Sequence, residues 1–385
     1  MEIYLDHAAT TRIAPESLQA MIAFEQAGRG NPFRGLHAAA ERATEAYEQS
    51  RETVARFFGA PAEHIVFTKG TTEGLNMLAR GLAETLQEGD EIILSLLEHH
   101  AHLLPWRAVA EKRKCVMRFV PLTREGEFDV GAYRAMLSPR TKVVAVTHVS
   151  NVLGSVVPLE EIVQGARAMG AFVCVDGAQA AGHMQIDVVA FGVDAYAMSA
   201  HKMYGPLGIG SLYLSARLQE VLQPFLLGGG MIEEVLDDGC PVFAEGVRKY
   251  EAGTPNVTGA VGFAAACTVL LSSLQVIKQK EQMLTKMLWE GLSSFGHITL
   301  YGPPPERERR GVIAFAIEGR HSHDVAQELS QRGIALRAGF HCAAPLARCL
   351  NPHGVLRVSI GRDTSEEECR IFLSILHEVI DKGVY

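Results

Sequence analysis

Lys142-Val143-Val144-Ala145-Val146-Thr147-His148, then helical spacing over Pro158 to Met169, then Ala171-Phe172-Val173-Cys174-Val175-Asp176, is the stretch whose reading decides the fold. Each apolar run is too short for a helix and rich in β-branched residues, so each reads as a strand. Their near-continuous apolarity requires cover on both faces, the condition of a parallel sheet joined by crossover helices. The alternation persists outward in both directions. Strands are predicted at His64 to Thr68, Glu91 to Ser95, Cys115 to Pro121, Asp194 to Met198 and Ile209 to Leu214, with helices at Thr72 to Leu86, Ala101 to Lys112 and Val130 to Leu137. The fold class is α/β, with a mostly parallel seven-stranded sheet in a large domain.

After Gly253 the pattern changes to a long helical stretch, Thr258 to Leu292, able to bridge two domains. A Pro- and Arg-rich loop from Gly302 to Arg310 follows, then strands at Gly311 to Ile317 and Leu336 to Arg337 with helices around them. This reads as a smaller α+β C-terminal domain. A chain of 385 residues exceeds one ordinary core, and the expected division is 12–260 for the large domain, with 1–11 and 261–385 forming the small one.

Lys and Arg number 36 against 44 Asp and Glu, and the resulting charge of -8 repels phosphate backbones and anionic lipid, so neither nucleic acid nor membrane is an expected partner. The N-terminus carries no basic and apolar leader pattern, and no run of about 18 apolar residues stands out; the expected location is cytoplasmic. Seven scattered Cys without a C-x-x-C pair argue against a disulfide framework and a structural zinc site.

In sheets of this kind ligands bind beyond the carboxyl ends of the strands. The candidate residues fall there. Ser199-Ala200-His201-Lys202-Met203-Tyr204-Gly205-Pro206 follows a strand, and a lysine in a cleft can form a Schiff base with an aldehyde cofactor. Ser199 and His201 are placed to hold a phosphate. Asp176 at the end of its strand can keep a pyridine nitrogen protonated, and Gln179 can donate to the ring hydroxyl. Gly70-Thr71-Thr72 joins a strand to a helix, a phosphate cradle by geometry. Within Glu98-His99-His100-Ala101-His102 no further ligand completes a tetrahedral site, so no metal is expected and a single imidazole, His99, is assigned to stacking on a cofactor ring. Near the C-terminus Arg337-Ala338-Gly339-Phe340-His341-Cys342 sets a thiol among basic neighbours, which favour the nucleophilic thiolate. Arg357 in an apolar strand suits a substrate carboxylate, or else a structural acid.

Taken together, these residues resemble the cysteine desulfurases of the aminotransferase class V superfamily, fold-type I enzymes that depend on pyridoxal 5'-phosphate (PLP). The similarity runs end to end, through Tyr4-Leu5-Asp6-His7-Ala8-Ala9-Thr10-Thr11, Thr147-His148-Val149-Ser150-Asn151, the Lys202 segment, Glu251-Ala252-Gly253-Thr254-Pro255-Asn256 and the Cys342 segment. The stretches around His99 to Trp106 and Arg337 to Ala343 resemble group II, the SUF type. The resemblance implies that Lys202, Cys342 and His99 are catalytic, that Lys202 carries PLP, that Asp176, Gln179 and His99 hold the ring, and that Thr71, Thr72, Ser199 and His201 bind phosphate. Thr254 then reaches the cofactor of a partner subunit in a homodimer. Arg34, Asn151, Arg337 and Arg357 handle substrate. Two positions depart from the group II pattern, Phe340 and Phe33, where His is usual, and both touch the implied substrate pocket.

The implied reaction converts L-cysteine to L-alanine and leaves sulfur on Cys342 as a persulfide. A sulfur-acceptor protein is the implied partner, for sulfur mobilisation such as iron-sulfur cluster assembly. The competing readings are a selenocysteine lyase or other PLP carbon-sulfur lyase, for which the Cys342 thiol is dispensable, and a PLP-binding regulator without turnover.

Overall fold

The computed structural model describes residues 2–33 and 35–381. After a short N-terminal strand, β1 (Ile3–Tyr4), seven strands form the main sheet: β2 (Ile65–Thr68), β3 (Glu91–Ser95), β4 (Val116–Val120), β5 (Thr141–Thr147), β6 (Phe172–Asp176), β7 (Ala195–Ser199) and β8 (Gly210–Leu214). Their order is β2-β8-β7-β6-β5-β3-β4. Only β8 is reversed, antiparallel to both β2 and β7. The alternation legible in β5 becomes two cores. Val144 and Val146 join Val173, Val175 and Tyr196 on one face, whereas Val143 and Ala145 join Cys174, Ala195 and Leu212 on the other. Chain order reverses between β3 and β5, and a crevice opens at that point beyond their carboxyl ends.

A hairpin, β9 (Ile232–Val235) with β10 (Pro241–Phe243), then leads to the helix Val257–Ser293. Asn256 caps it by accepting the Gly259 N–H at 2.9 Å. Ala260, Phe263, Cys267 and Leu270 pack into the core of the main sheet, and Leu284, Leu288 and Leu292 into a separate C-terminal core. This helix is long and apolar enough to cross a bilayer by length and mean composition, although Thr258, Thr268, Ser272 and Ser273 interrupt its apolar run. In the fold it lies against the helices Pro15–Gln26 and Ala38–Phe58 and ties two cores together.

The C-terminal part has β11 (Ile298–Tyr301), β12 (Val312–Ile317), β13 (Ile334–Ala335), β14 (Arg337–Gly339) and β15 (Val355–Ser359). Four of these form an antiparallel sheet in the order β11-β12-β15-β14. β13 instead pairs with β1, which draws the N-terminal residues to this part of the molecule. The strand read at Leu336 to Arg337 is split, because the chain passes from one pairing partner to another at Leu336. β11 and the β9–β10 hairpin went unread: both are short, and the hairpin is half exposed.

The segment before Thr254 is anchored by charge. Glu251 accepts from Arg51 Nη1 and Nη2 at 2.6 and 2.8 Å, from the Phe67 N–H at 2.7 Å and from the Tyr47 hydroxyl at 3.0 Å. The Arg51 side chain is only 3% exposed. Arg51→Ala removes the guanidinium that pairs with the buried Glu251, so it is expected to destabilise the fold by roughly 3–5 kcal/mol. Loss of the surface pair in Arg107→Ala should leave the denaturation midpoint unchanged; equal midpoints for the two variants would contradict this account.

Candidate active site

A cavity of about 240 Å³ sits at the carboxyl ends of the parallel strands. Asp176 is the last residue of β6, Ser199 the last of β7, and Lys202 closes the turn directly after it. Because β6 and β7 are paired in parallel with Asp176 opposite Ala197, both strands deliver their ends to the same wall. Burial draws the Lys202 amine below its ordinary pKa; the Asp176 carboxylate works against this, and Arg357 and Arg337 work with it. A lysine in that condition is readied for nucleophilic attack on an aldehyde. Asp176 is buried and accepts the Ala178 N–H at 2.9 Å. The turn after it requires glycine, since a Cβ on Gly177 would come within 1.9 Å of the Tyr196 ring.

The phosphate end of the cavity is built at the start of the helix Thr71–Leu82. The Ser199 hydroxyl accepts the Thr71 N–H at 2.8 Å and shares a second bond of 2.8 Å with the Thr71 hydroxyl. Thr72 lines the cavity beside them. Nδ1 of His201 is buried without a partner among the described residues, and burial, followed by Lys202, lowers its ring pKa to about 4. A helix start with its positive end exposed, two hydroxyls and an imidazole nitrogen lacking a partner fit a phosphate group.

His99 caps the helix His100–Arg113: its Nδ1 accepts the Ala101 N–H at 3.0 Å, which leaves the ring proton on Nε2. Burial lowers its pKa to about 4, opposed by Asp176 and assisted by Lys202, so at neutral pH the ring facing the cavity is uncharged. The adjacent Glu98, which falls at the same strand end, has no role that the sequence alone assigns. Its buried carboxylate accepts the Thr147 N–H at 3.0 Å, bonds the Ser95 hydroxyl and pairs with His102 Nδ1 at 2.7 Å. It thereby joins the ends of β3 and β5 at the point where chain order reverses.

Gln179 lines the cavity, but its amide donates to the Ala8 carbonyl at 2.7 Å and so draws the N-terminal segment over the site. Asn151 donates to the His341 carbonyl at 2.8 Å. Arg357 is 2% exposed; its Nη2 bonds Asp6 at 2.7 Å, its Nη1 bonds the Asn151 carbonyl at 3.0 Å, and its Nε is buried without a partner. Arg337 bonds the other oxygen of Asp6 at 3.0 Å. Asp6 thus holds both guanidinium groups; a carboxylate following the apolar Ile3 and Leu5 was the signal available in the sequence. Cys342 is exposed at the cavity with His341 beside it. Thr254 lies apart from these residues, in a surface cleft with Phe33, Gly229 and Arg248. Arg34 lies outside the described residues.

Comparison with known proteins agrees with this geometry. The aminotransferase class-V family model matches residues 3–372. A probable cysteine desulfurase of Vibrio cholerae is 39% identical over 382 residues, covering 98% of this chain and 94% of that protein. The solved apo cysteine desulfurase of Thermococcus onnurineus NA1 superposes with a TM-score of 0.95 at 39% identity, covering 100% of this chain and 95% of that one. A variant of the enzyme C-DES, solved with glycine covalently linked to its PLP cofactor, gives a TM-score of 0.84 at 25% identity, covering 97% and 96%.

Burial, the leading cause in every case, lowers the rings of His7, His99 and His201 to about 4 and those of His148 and His341 to about 3. In an unfolded chain each titrates near about 6.5. Between those values the unfolded chain binds more protons than the folded one, so stability is fully present above about 6.5 and is lost as pH falls toward 4. Denaturation midpoints should drop over that interval, and unfolding near pH 5.5 should take up close to one proton per buried ring. A flat profile would mean that the rings are already charged in the folded protein.

Proposed function

The chain belongs to the aminotransferase class-V family, and from that membership and the cavity at its strand ends we propose that it is a PLP-dependent cysteine desulfurase, converting L-cysteine to L-alanine. The observation that carries this reading is a desolvated lysine, a buried carboxylate and an exposed thiol around one cavity.

Bound PLP supplies an aldehyde for amines and a cationic ring able to take up the electron pair freed at the substrate Cα. Lys202 Nζ is the group that would hold PLP through its aldehyde, and the same amine would serve as the base that takes the substrate Cα proton and later returns a proton. Asp176 would hold a proton on the ring nitrogen, and the uncharged His99 ring would pack against the cofactor. Thr71, Thr72, Ser199 and His201 would hold its phosphate. Cys342 Sγ, as thiolate, attacks the substrate sulfur; the new S–S bond forms as the Cβ–S bond breaks, and the electron pair passes to carbon, which is protonated as alanine. The persulfide stays on Cys342 until a sulfur-acceptor protein removes it.

The substrate carboxylate goes to the Arg357 side of the cavity, where the unpartnered Nε and the half-exposed Arg337 guanidinium offer donors alongside Asp6. In this reading the protein works as a homodimer of the SUF type, with Thr254 completing the site of a second copy. A persulfide held on the protein's own Cys342 distinguishes the reaction from that of a carbon-sulfur or selenocysteine lyase.

Lys202→Ala is expected to lose the visible absorbance of the lysine-bound cofactor and to slow turnover by about 10²–10⁴-fold, the span of a positioned base. Cys342→Ser should retain that absorbance while alanine production from cysteine falls at least about 10²-fold. Mass spectrometry after cysteine treatment should find one added sulfur on the Cys342 peptide of the unaltered protein. Undiminished cysteine turnover by Cys342→Ser would place the protein among the lyases instead.

A further inference from the structure

His341 and Cys342 both adopt left-handed backbone conformations, with φ of 50° and 53°. Residues with a Cβ pay in backbone energy for that region, and two in succession persist only where neighbours hold them. The loop is short, lying between β14 and the helix Ala344–Leu350. Its own bond, from the Ala343 N–H to the Phe340 carbonyl at 2.8 Å, spans one turn and does not fix the loop to the rest of the site.

One hold comes from β15, where the Val355 carbonyl bonds His341 Nε2 at 2.9 Å; the others come from residues that follow β3 and β5. Asn151 Nδ2 donates to the His341 carbonyl at 2.8 Å. His100 grips the next residues twice: its N–H donates to the Cys342 carbonyl at 2.6 Å, and its Nε2 accepts the Ala344 N–H at 3.0 Å. The first bond satisfies an N–H at the start of the helix His100–Arg113 that has no acceptor within its own helix. The second requires an imidazole with a free lone pair on Nε2 and its proton on Nδ1. Burial lowers the pKa of His100, which keeps that lone pair available at neutral pH. His99 and His100 thus divide two tasks at one helix end: the first faces the cofactor cavity and the second holds the thiol-bearing loop.

We propose that His100 is a positioning residue for the sulfur-accepting step, its ring nitrogen locking the Cys342 loop in the left-handed conformation that sets the thiol at the cavity. This rests on the desulfurase reading. The ring does not contact the cofactor cavity in this role; it acts through the Ala344 N–H. A displacement of the thiol by about 1 Å is enough to lower a rate by roughly 10²-fold.

The test uses the holoenzyme with cysteine and compares His100→Gln, whose Oε1 can replace Nε2 as acceptor, with His100→Leu and His100→Asn, which carry no acceptor at that reach. Three readouts are taken: lysine-bound cofactor absorbance, single-turnover persulfide formation on Cys342, and amide hydrogen exchange of the peptide spanning residues 340–346 without substrate. His100→Leu and His100→Asn should keep the absorbance and a KM within about twofold, while persulfide formation slows by roughly 10- to 100-fold and the peptide exchanges faster; His100→Gln should recover to within about threefold on both. Persulfide formation at the unaltered rate in either acceptor-lacking variant overturns the proposal. So does a His100→Gln protein as slow as the other two, or a rate loss that only follows loss of cofactor. Should His100→Leu fail to fold, His100→Asn alone decides. Absence of any persulfide in the unaltered protein would instead refute the desulfurase reading, so the two failures are distinguishable.

Discussion

An amine and a carboxylate forced out of water into one small cavity are the constraint on which this molecule depends. Lys202 and Asp176 reach it from adjacent parallel strands, and that pairing exists only because both faces of the sheet are covered. Burial disfavours the charged form of the lysine while the nearby carboxylate favours it. That opposition keeps a reactive amine beside an acid able to hold a proton on a cofactor ring. The fold supplies the remaining parts at little further cost, since hydroxyls, a helix start and an imidazole all arrive at neighbouring strand ends.

The second contribution comes from the C-terminal part of the chain. In β14 and β15, Arg337 and Arg357 stand directly opposite one another, and like charges in that arrangement repel. Asp6 resolves this by bonding both, and a Ser359 hydroxyl receiving the Ala8 N–H at 2.9 Å fastens the N-terminal segment in place. The same segment is held from the other side by Gln179. The cavity therefore closes only when residues from both ends of the chain meet over the sheet. The Cys342 loop is caught between these parts, its carbonyls taken by Asn151 and His100. Such anchoring differs from a freely swinging thiol: the nucleophile is delivered by a short clamped turn.

What could be read from residues alone was what local chemistry repeats. β-branched runs of about five residues, each followed by helical spacing, announce buried strands and crossovers, and β3 was placed to the residue. Ligands gather at strand ends in such sheets, so Thr71, Thr72, Asp176, Ser199, His201, Lys202 and His99 could all be singled out, and all line the one cavity. Short or half-exposed strands such as β9, β10 and β11 carry too little periodicity to be seen.

Only the tertiary structure decided who partners whom. Arg357 could be read as gripping a substrate anion or a structural acid, and only the fold names that acid as Asp6, which lies 351 positions away. Glu98 looked like a neighbour of a histidine cluster, yet it joins the ends of two strands and occupies His102. Thr254 stands in a separate cleft within a single chain, and nothing local to its loop says so. Side-chain periodicity reports which face of an element is buried, because that depends on the residue and its near neighbours. It carries no record of which distant element covers that face, and the hydrogen-bond partners of a buried charge are set by that packing alone.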